Sequence, residues 1–342
     1  MRLMRALGSA LVVPVLVIWI AGSRSEASGP TSGSVAIIRV DPHHQNTILA
    51  GTGTAQLFRT RDGANSWTPL GFPAALHATL HSVLIDPIHP QTYMVALSSE
   101  TPSYSGVFRS VDEGTTWQPL NGLNRKQVWS LASWAVDSRV MAAGTQDGIF
   151  FTRDGGETWT HTAAQGSAEP HPVVSLAFDP ANSYVLYAGT PHLAWKTIDG
   201  GKTWKPIHNG MEEDSDIFTI FVDAINPRRL FAGTCGGIYS SRDGGGTWAN
   251  LANVNSSTPR TYVIARAPYN PSIIFAGTSG GLLQSTDAGV TWRKVSRSPA
   301  RSIAFDYSNP RRMFVATDSG ILRSEDGGAH FVEASQGLYD RP

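Results

Sequence analysis

The chain contains a single cysteine, Cys235, among 342 residues. No disulfide can form within it, so the fold must be held by buried apolar surface. With no base evident nearby, that thiol reads as a small residue in a turn. The chain also lacks a charge of one sign: Lys+Arg and Asp+Glu stand at 27 each. A nucleic-acid or anionic-membrane partner would leave a basic footprint, and none is present. The ten histidines show neither HxH nor HExxH spacing, which gives no metal site. No nucleophile motif and no cofactor motif stands out either. Against these absences, 34 glycines and ten tryptophans are generous.

The first thirty residues differ from the rest. Arg2 and Arg5 precede an apolar run from Ala6 to Ala21, and small and polar residues follow. That three-part layout is the pattern of a secretory signal peptide over 1–27, with cleavage near 23 or 27. The rival reading is an uncleaved anchor. A run of 16 residues interrupted by Pro14 is short for roughly 30 Å of hydrocarbon. A short linker, 28–33, then leads into the body of the chain, 34–342.

That body is a repeat. The stretch SRDGGGTW (241–248) recurs as TRDGANSW (60–67), SVDEGTTW (110–117), TRDGGETW (152–159), TIDGGKTW (197–204), STDAGVTW (285–292) and SEDGGAHF (324–331). The seven aspartates, Asp62, Asp112, Asp154, Asp199, Asp243, Asp287 and Asp326, are 39 to 50 residues apart. Upstream of each lies a run such as VVSLAFDPANSYVLYAGT (173–190), then a short segment such as GIYSS (237–241). Each period therefore reads as four short strands, A (before DP), B (ending AGT), C (before the aspartate) and D (from the tryptophan). Four antiparallel strands repeated at this interval form a propeller blade, so the fold expected is all-β, a single seven-bladed β-propeller. Each blade is contiguous in sequence, and closure of the ring must rest on blade-to-blade packing.

The pattern Ser/Thr-x-Asp-x-Gly-x-Thr-Trp resembles the Asp-box, or BNR repeat, of sialidases, xyloglucan-active glycosidases, sortilin-type receptors and photosystem II assembly factors. The whole period is most similar to the bacterial sortilin-like and assembly-factor-like propellers. Such a resemblance implies a fold and leaves activity open, since enzymes and binding proteins share it.

The residues themselves assign the box a folding role. An aspartate can accept backbone N–H groups two or three residues on, glycine permits positive φ, and tryptophan buries a large surface. Seven carboxylates on seven blades cannot converge on one substrate. The boxes share a face with the DPxxP turns between A and B. The other face carries the B–C turns and D–A links, which vary, and variable loops on a rigid scaffold are where binding resides. There, aligned on AGT, one column of strand A is uniformly apolar: Ile38, Val83, Leu131, Leu176, Ile220, Ile264 and Ile303. Two residues earlier the column reads Ala36, His81, Trp129, Val174, Phe218, Tyr262 and Arg301. Strand A is innermost in a propeller, so His81, Trp129, Phe218, Tyr262 and Arg301 are the candidate ligand platform at the channel mouth.

The expected function is an exported, non-catalytic propeller that binds a protein, peptide or glycan on that face, with membrane contact only through a retained leader. A glycoside hydrolase is the alternative. It requires two carboxylates about 5–10 Å apart, and Glu100, Asp147, Glu169 and the acidic run 212–216 are the groups available. A third reading, by resemblance, is an assembly factor for a membrane complex, with Arg125, Arg260, Arg297 and Arg301 approximating its arginine patch.

Overall fold

The computed structural model describes residues 34–71, 78–162, 170–213, 215–251 and 260–338. The leader, the linker and parts of three D–A links, with His77 and Glu169, lie outside these, as does Asp214. Seven sheets of four antiparallel strands follow one another, each with its strands in sequence order. Blade 1 is typical: A is Val35–Val40, B is Ile48–Thr52, C is Leu57–Thr60 and D is Thr68–Pro69. The remaining inner strands are Ala78–Ile85, Val128–Trp134, Ser175–Asp179, Ile217–Val222, Thr261–Arg266 and Ala300–Phe305. A 3-10 turn, Pro102–Tyr104, is built into the longest B–C loop. No helix among the described residues is long and apolar enough to cross a membrane.

There is no single core. Seven apolar clusters form, one in each seam between neighbouring blades; that of blades 1 and 7 contains Val35, Ile38, Phe58, Phe314, Ile321 and Leu338. The AGT motif follows from this packing. A Cβ on Gly144, Gly189, Gly233 or Gly277 would lie 2.6–2.7 Å from a backbone carbonyl in, or for Gly144 just before, the next blade's inner strand. Only glycine lets the blades approach that closely.

The aspartate turns are a second consequence of sequence. Asp243 accepts from the Ser241 hydroxyl at 2.7 Å, the Thr247 amide at 2.9 Å and the Thr247 hydroxyl at 2.8 Å. Ser241 in turn accepts the Gly245 amide at 2.9 Å. Asp243 is exposed, whereas Ser241 is 1% exposed, so the serine is the interior hub. These hydrogen bonds hold the carboxylate down to about 2, and Asp62, Asp112, Asp199 and Asp287 are lowered likewise. Asp154 and Asp326 are also lowered, by the hydroxyls of Thr152 and Thr158 and by the amide and ring of His330. Each turn is tied to the A–B turn or the start of strand B in its own blade, as in Gly244 N–H to Arg228 O at 2.8 Å and Gly63 N–H to Asn46 O at 3.1 Å. Both turn types therefore share a face, as expected.

The ring closes without exchanging a strand. The residue before the Ser/Thr of the turn reaches across the seam to the carbonyl of the positive-φ residue after the next aspartate. Arg59 donates to Glu113 O (2.7 Å), Arg109 to Gly155 O (3.3 Å), Lys196 to Gly244 O (2.9 Å) and Gln284 to Gly327 O (3.4 Å). Arg323 does the same to Gly63 O at 2.8 Å, joining blade 7 to blade 1. The tail completes the joint: Trp67 donates its indole N–H to Ala334 O at 2.9 Å, as Trp248 does to Ile207 O at 2.6 Å. Gly337 lies against the Trp67 backbone much as Gly210 lies against that of Trp248. Closure thus repeats the contacts used inside the ring.

Candidate functional site

The mixed column at the channel mouth has a structural cause not legible in the alignment. In six blades its residue is the extra member of a β-bulge. Val35 pairs with Thr52 and Ile37 with Gly51, leaving Ala36 unpaired. The same shift isolates His81, Trp129, Phe218, Tyr262 and Arg301. In blade 4, Val174 lies just before strand A, its amide donating to Gly189 O. A bulge bends the strand and re-aims the side chain, and bulges gather where a side chain must be presented. All seven members of the column are half-buried, while the next core column is apolar and largely buried.

The five candidates are not one cluster. Phe218, Tyr262 and Arg301, on blades 5, 6 and 7, form a continuous ladder. The Phe218 and Tyr262 rings are 5.9 Å apart, tilted by 56°. The Arg301 guanidinium lies 4.2 Å from the Tyr262 ring centroid, and Arg260 lies 5.8 Å from that of Phe218. Asp318, in the B–C turn of blade 7, holds Arg301 through two hydrogen bonds of 2.8 and 3.1 Å. That carboxylate raises the guanidinium above its usual range against partial burial. His81 stands apart, its Nε2 2.7 Å from Ser98 Oγ on the same blade. Burial depresses its imidazole to about 4, so it is neutral at pH 7. Trp129 occupies the bulge of blade 3, separate from the ladder. The column therefore has a cationic-aromatic side on blades 5–7 and no charged member on blades 1–4.

Other candidates disperse. Asp147 lies 3.6 Å from Lys126, and Glu100 is an exposed residue of the longest B–C loop. Arg260 and Arg301 bracket the ladder, whereas Arg125 and Arg297 are exposed on separate links. Cys235 is exposed in the B–C turn of blade 5. Among the described residues no group of three or more His, Cys, Asp or Glu side chains is placed to hold a metal ion. The aspartate-turn face carries a feature that the sequence reading missed. Ile88, Val136, Ile225, Tyr269 and Tyr307 stand exposed in or beside its A–B turns. One exposed apolar residue in the DPxxP stretch of several blades was the available signal.

Residues 105–215 match the family model Sortilin-Vps10, described as sortilin, neurotensin receptor 3. No curated protein matches the chain. Among solved structures, the GH74 xyloglucanase from Xanthomonas campestris superposes with a TM-score of 0.74 at 17% identity, over 92% of this chain and 56% of that one. The GH74 enzyme from Niastella koreensis gives 0.71 at 18%, over 91% and 55%. The chain thus spans about half the length of these enzymes. YCF48 bound to a D1 peptide gives 0.64 at 19%, over 87% of this chain and 94% of that one. These likenesses agree with the propeller resemblance, and at such identities they carry the fold alone.

Proposed function

We propose that the protein is an exported, non-catalytic propeller that binds a protein or peptide segment at the channel mouth on the face of the D–A links and B–C turns. The observation that carries this reading is the ring of bulges. Six blades each interrupt their inner strand at the same position, and the residues so presented differ from blade to blade. The Phe218–Tyr262–Arg301 ladder offers flat aromatic surface and a guanidinium already oriented by Asp318, so little side-chain freedom remains to be lost on binding. Aromatic and arginine side chains of this kind dominate protein-recognition hot spots. The likeness to YCF48, which runs along nearly its whole length and whose structure holds a peptide, supports a peptide over a glycan. Export rests on the leader pattern of residues 1–27.

Selection of a displayed random peptide library on the purified protein tests the reading. A selected peptide should lose 10-fold or more in affinity, about 1.4 kcal/mol, with Tyr262→Ala combined with Arg301→Gln. Unchanged affinity would remove the ladder from the site.

A second reading, a glycoside hydrolase, is favoured by the GH74 superpositions. Release of reducing sugar from xyloglucan by the purified protein would replace the first reading with this one.

A further inference from the structure

The seam between blades 3 and 4 breaks the rule that builds most of the others. Where five seams carry a long polar side chain reaching for the next turn, blade 3 has Phe151. The residue following strand D departs as well. Leu70, Leu120 and Ile207 each press an apolar side chain on a turn glycine of the next blade (Gly114, Gly156 and Gly245), whereas blade 3 offers the shorter, hydroxylated Thr162 to Gly201. The result is a groove of about 510 Å³ whose lining includes Phe151, Arg153, Thr160, Thr162, Gly201 and Lys202. Small-molecule sites span roughly 300–1,000 Å³.

We propose that this groove binds an anionic saccharide unit, a uronate or a sulfated sugar. Two cations flank it. The Arg153 guanidinium lies 4.3 Å from the Tyr184 ring centroid, and among the described residues its side-chain hydrogen bonding is limited to a 3.5 Å contact with Ser183 Oγ. The ring pins the group while leaving its N–H edge for an anion, a geometry that suits carboxylate or sulfate. Lys202 is exposed, and among the described residues neither cation has a carboxylate within ion-pair distance. Asp154, the acidic group of the lining, spends its oxygens on the Thr152 and Thr158 hydroxyls and the Thr158 amide. The groove is therefore net positive.

Its walls suit a hydroxylated ligand. Thr160 presents an exposed hydroxyl, and Thr162, which donates to Ile149 O at 3.1 Å, keeps acceptor lone pairs. A peptide added as a strand is disfavoured, because the outer strand here is only Thr160–His161. Strand addition takes its affinity from a longer run of main-chain hydrogen bonds. The site lies on the perimeter at the aspartate-turn end, separate from the channel mouth.

Titration calorimetry of the full chain with trigalacturonate, glucose 6-sulfate and neutral cellotriose tests the assignment. Saturable binding of one or both acidic sugars is expected, the two arms distinguishing carboxylate from sulfate, with none for cellotriose. Arg153→Gln with Lys202→Gln should weaken it at least 10-fold. Thr162→Leu, which restores the apolar residue used at other seams, should block it in a folded protein. Tyr262→Ala should leave it unchanged. Absence of saturation in the millimolar range by either acidic sugar, or equal binding of cellotriose, overturns the proposal. So does an affinity indifferent to Arg153 and Lys202, or a tetraglutamate peptide bound as tightly through the same residues.

Discussion

Two seams of the ring invert a common intuition about chain connectivity. Blades 7 and 1 stand at opposite ends of the described sequence, yet their seam carries the Arg323 clamp, the Trp67 hydrogen bond and a buried Leu338. Blades 3 and 4 are neighbours in sequence, yet theirs lacks the strand-C clamp and opens into a groove. At five seams a specific donor meets a carbonyl of a positive-φ turn over apolar filling, while at seam 5/6, where Ser240 holds the donor position, Phe231 fills against Gly289. Chain continuity contributes no such contact. Seam 3/4 is held instead by Arg153 on Tyr184, by Trp134 donating to Asp179 O and by the edge-on Phe151–Phe178 pair.

The comparison is broken most severely at the closing seam. Leu338→Ala removes a side chain that is 1% exposed and should cost about 2–5 kcal/mol, read as a fall in the urea midpoint. If that midpoint does not move, the tail is not part of the closure. Next, Arg323→Ala should cost about 1–3 kcal/mol by stripping the Gly63 carbonyl of its donor. The equivalent loss at seam 3/4, Arg153→Ala, should cost only about 0.5–1 kcal/mol, the range of an exposed cation–π contact. Equal losses in thermal denaturation would erase the distinction between the seams.

Within any one seam the turn has its own hierarchy. Ser241→Ala leaves the buried Gly245 amide without an acceptor and should cost about 1–3 kcal/mol, whereas the exposed Asp243→Ala falls nearer 1 kcal/mol because water can replace the carboxylate. The reverse order in chemical denaturation would restore the aspartate as the hub. Because these carboxylates titrate well below their ordinary range, their stabilising contribution is full above about pH 4 and is lost only as pH falls toward about 2. His81 acts earlier. Its depressed imidazole, about 4 against 6.5, means that the unfolded chain binds the proton more readily. Stability should therefore decline as pH drops from about 6.5 to 4. His81→Gln should flatten that limb of the pH–stability curve, and an unaltered limb would assign the decline elsewhere.

How much of this was legible depends on whether the signal repeats. The seven aspartate turns, the AGT strands and the sharing of a face recur at near-equal intervals, and recurrence made the blade visible. The mixed column was visible as an alignment. The bulge that creates it was not, because a one-residue shift in pairing leaves only an ambiguous run such as Ile37-Ile38, where both residues turn out to be buried. The clamps were hidden for a related reason. Arg59, Arg109, Lys196, Gln284 and Arg323 share a position and a role without sharing a residue type. Phe151 becomes conspicuous only once that role is known. The role of the serine or threonine at the start of each turn escaped because hydroxyl and carboxylate alternatives look alike in sequence until burial separates them.

We propose that peptide recognition occurs on the bulge face and not at Ile88, Ile225 and Tyr307, which stand exposed on the face of the aspartate turns. Hydrogen–deuterium exchange with a library-selected peptide bound tests it most directly. Slowed exchange at the starts of the inner strands of blades 5 to 7, around Phe218, Tyr262 and Arg301, is the predicted result. Protection confined to the A–B turns and the aspartate turns would contradict it.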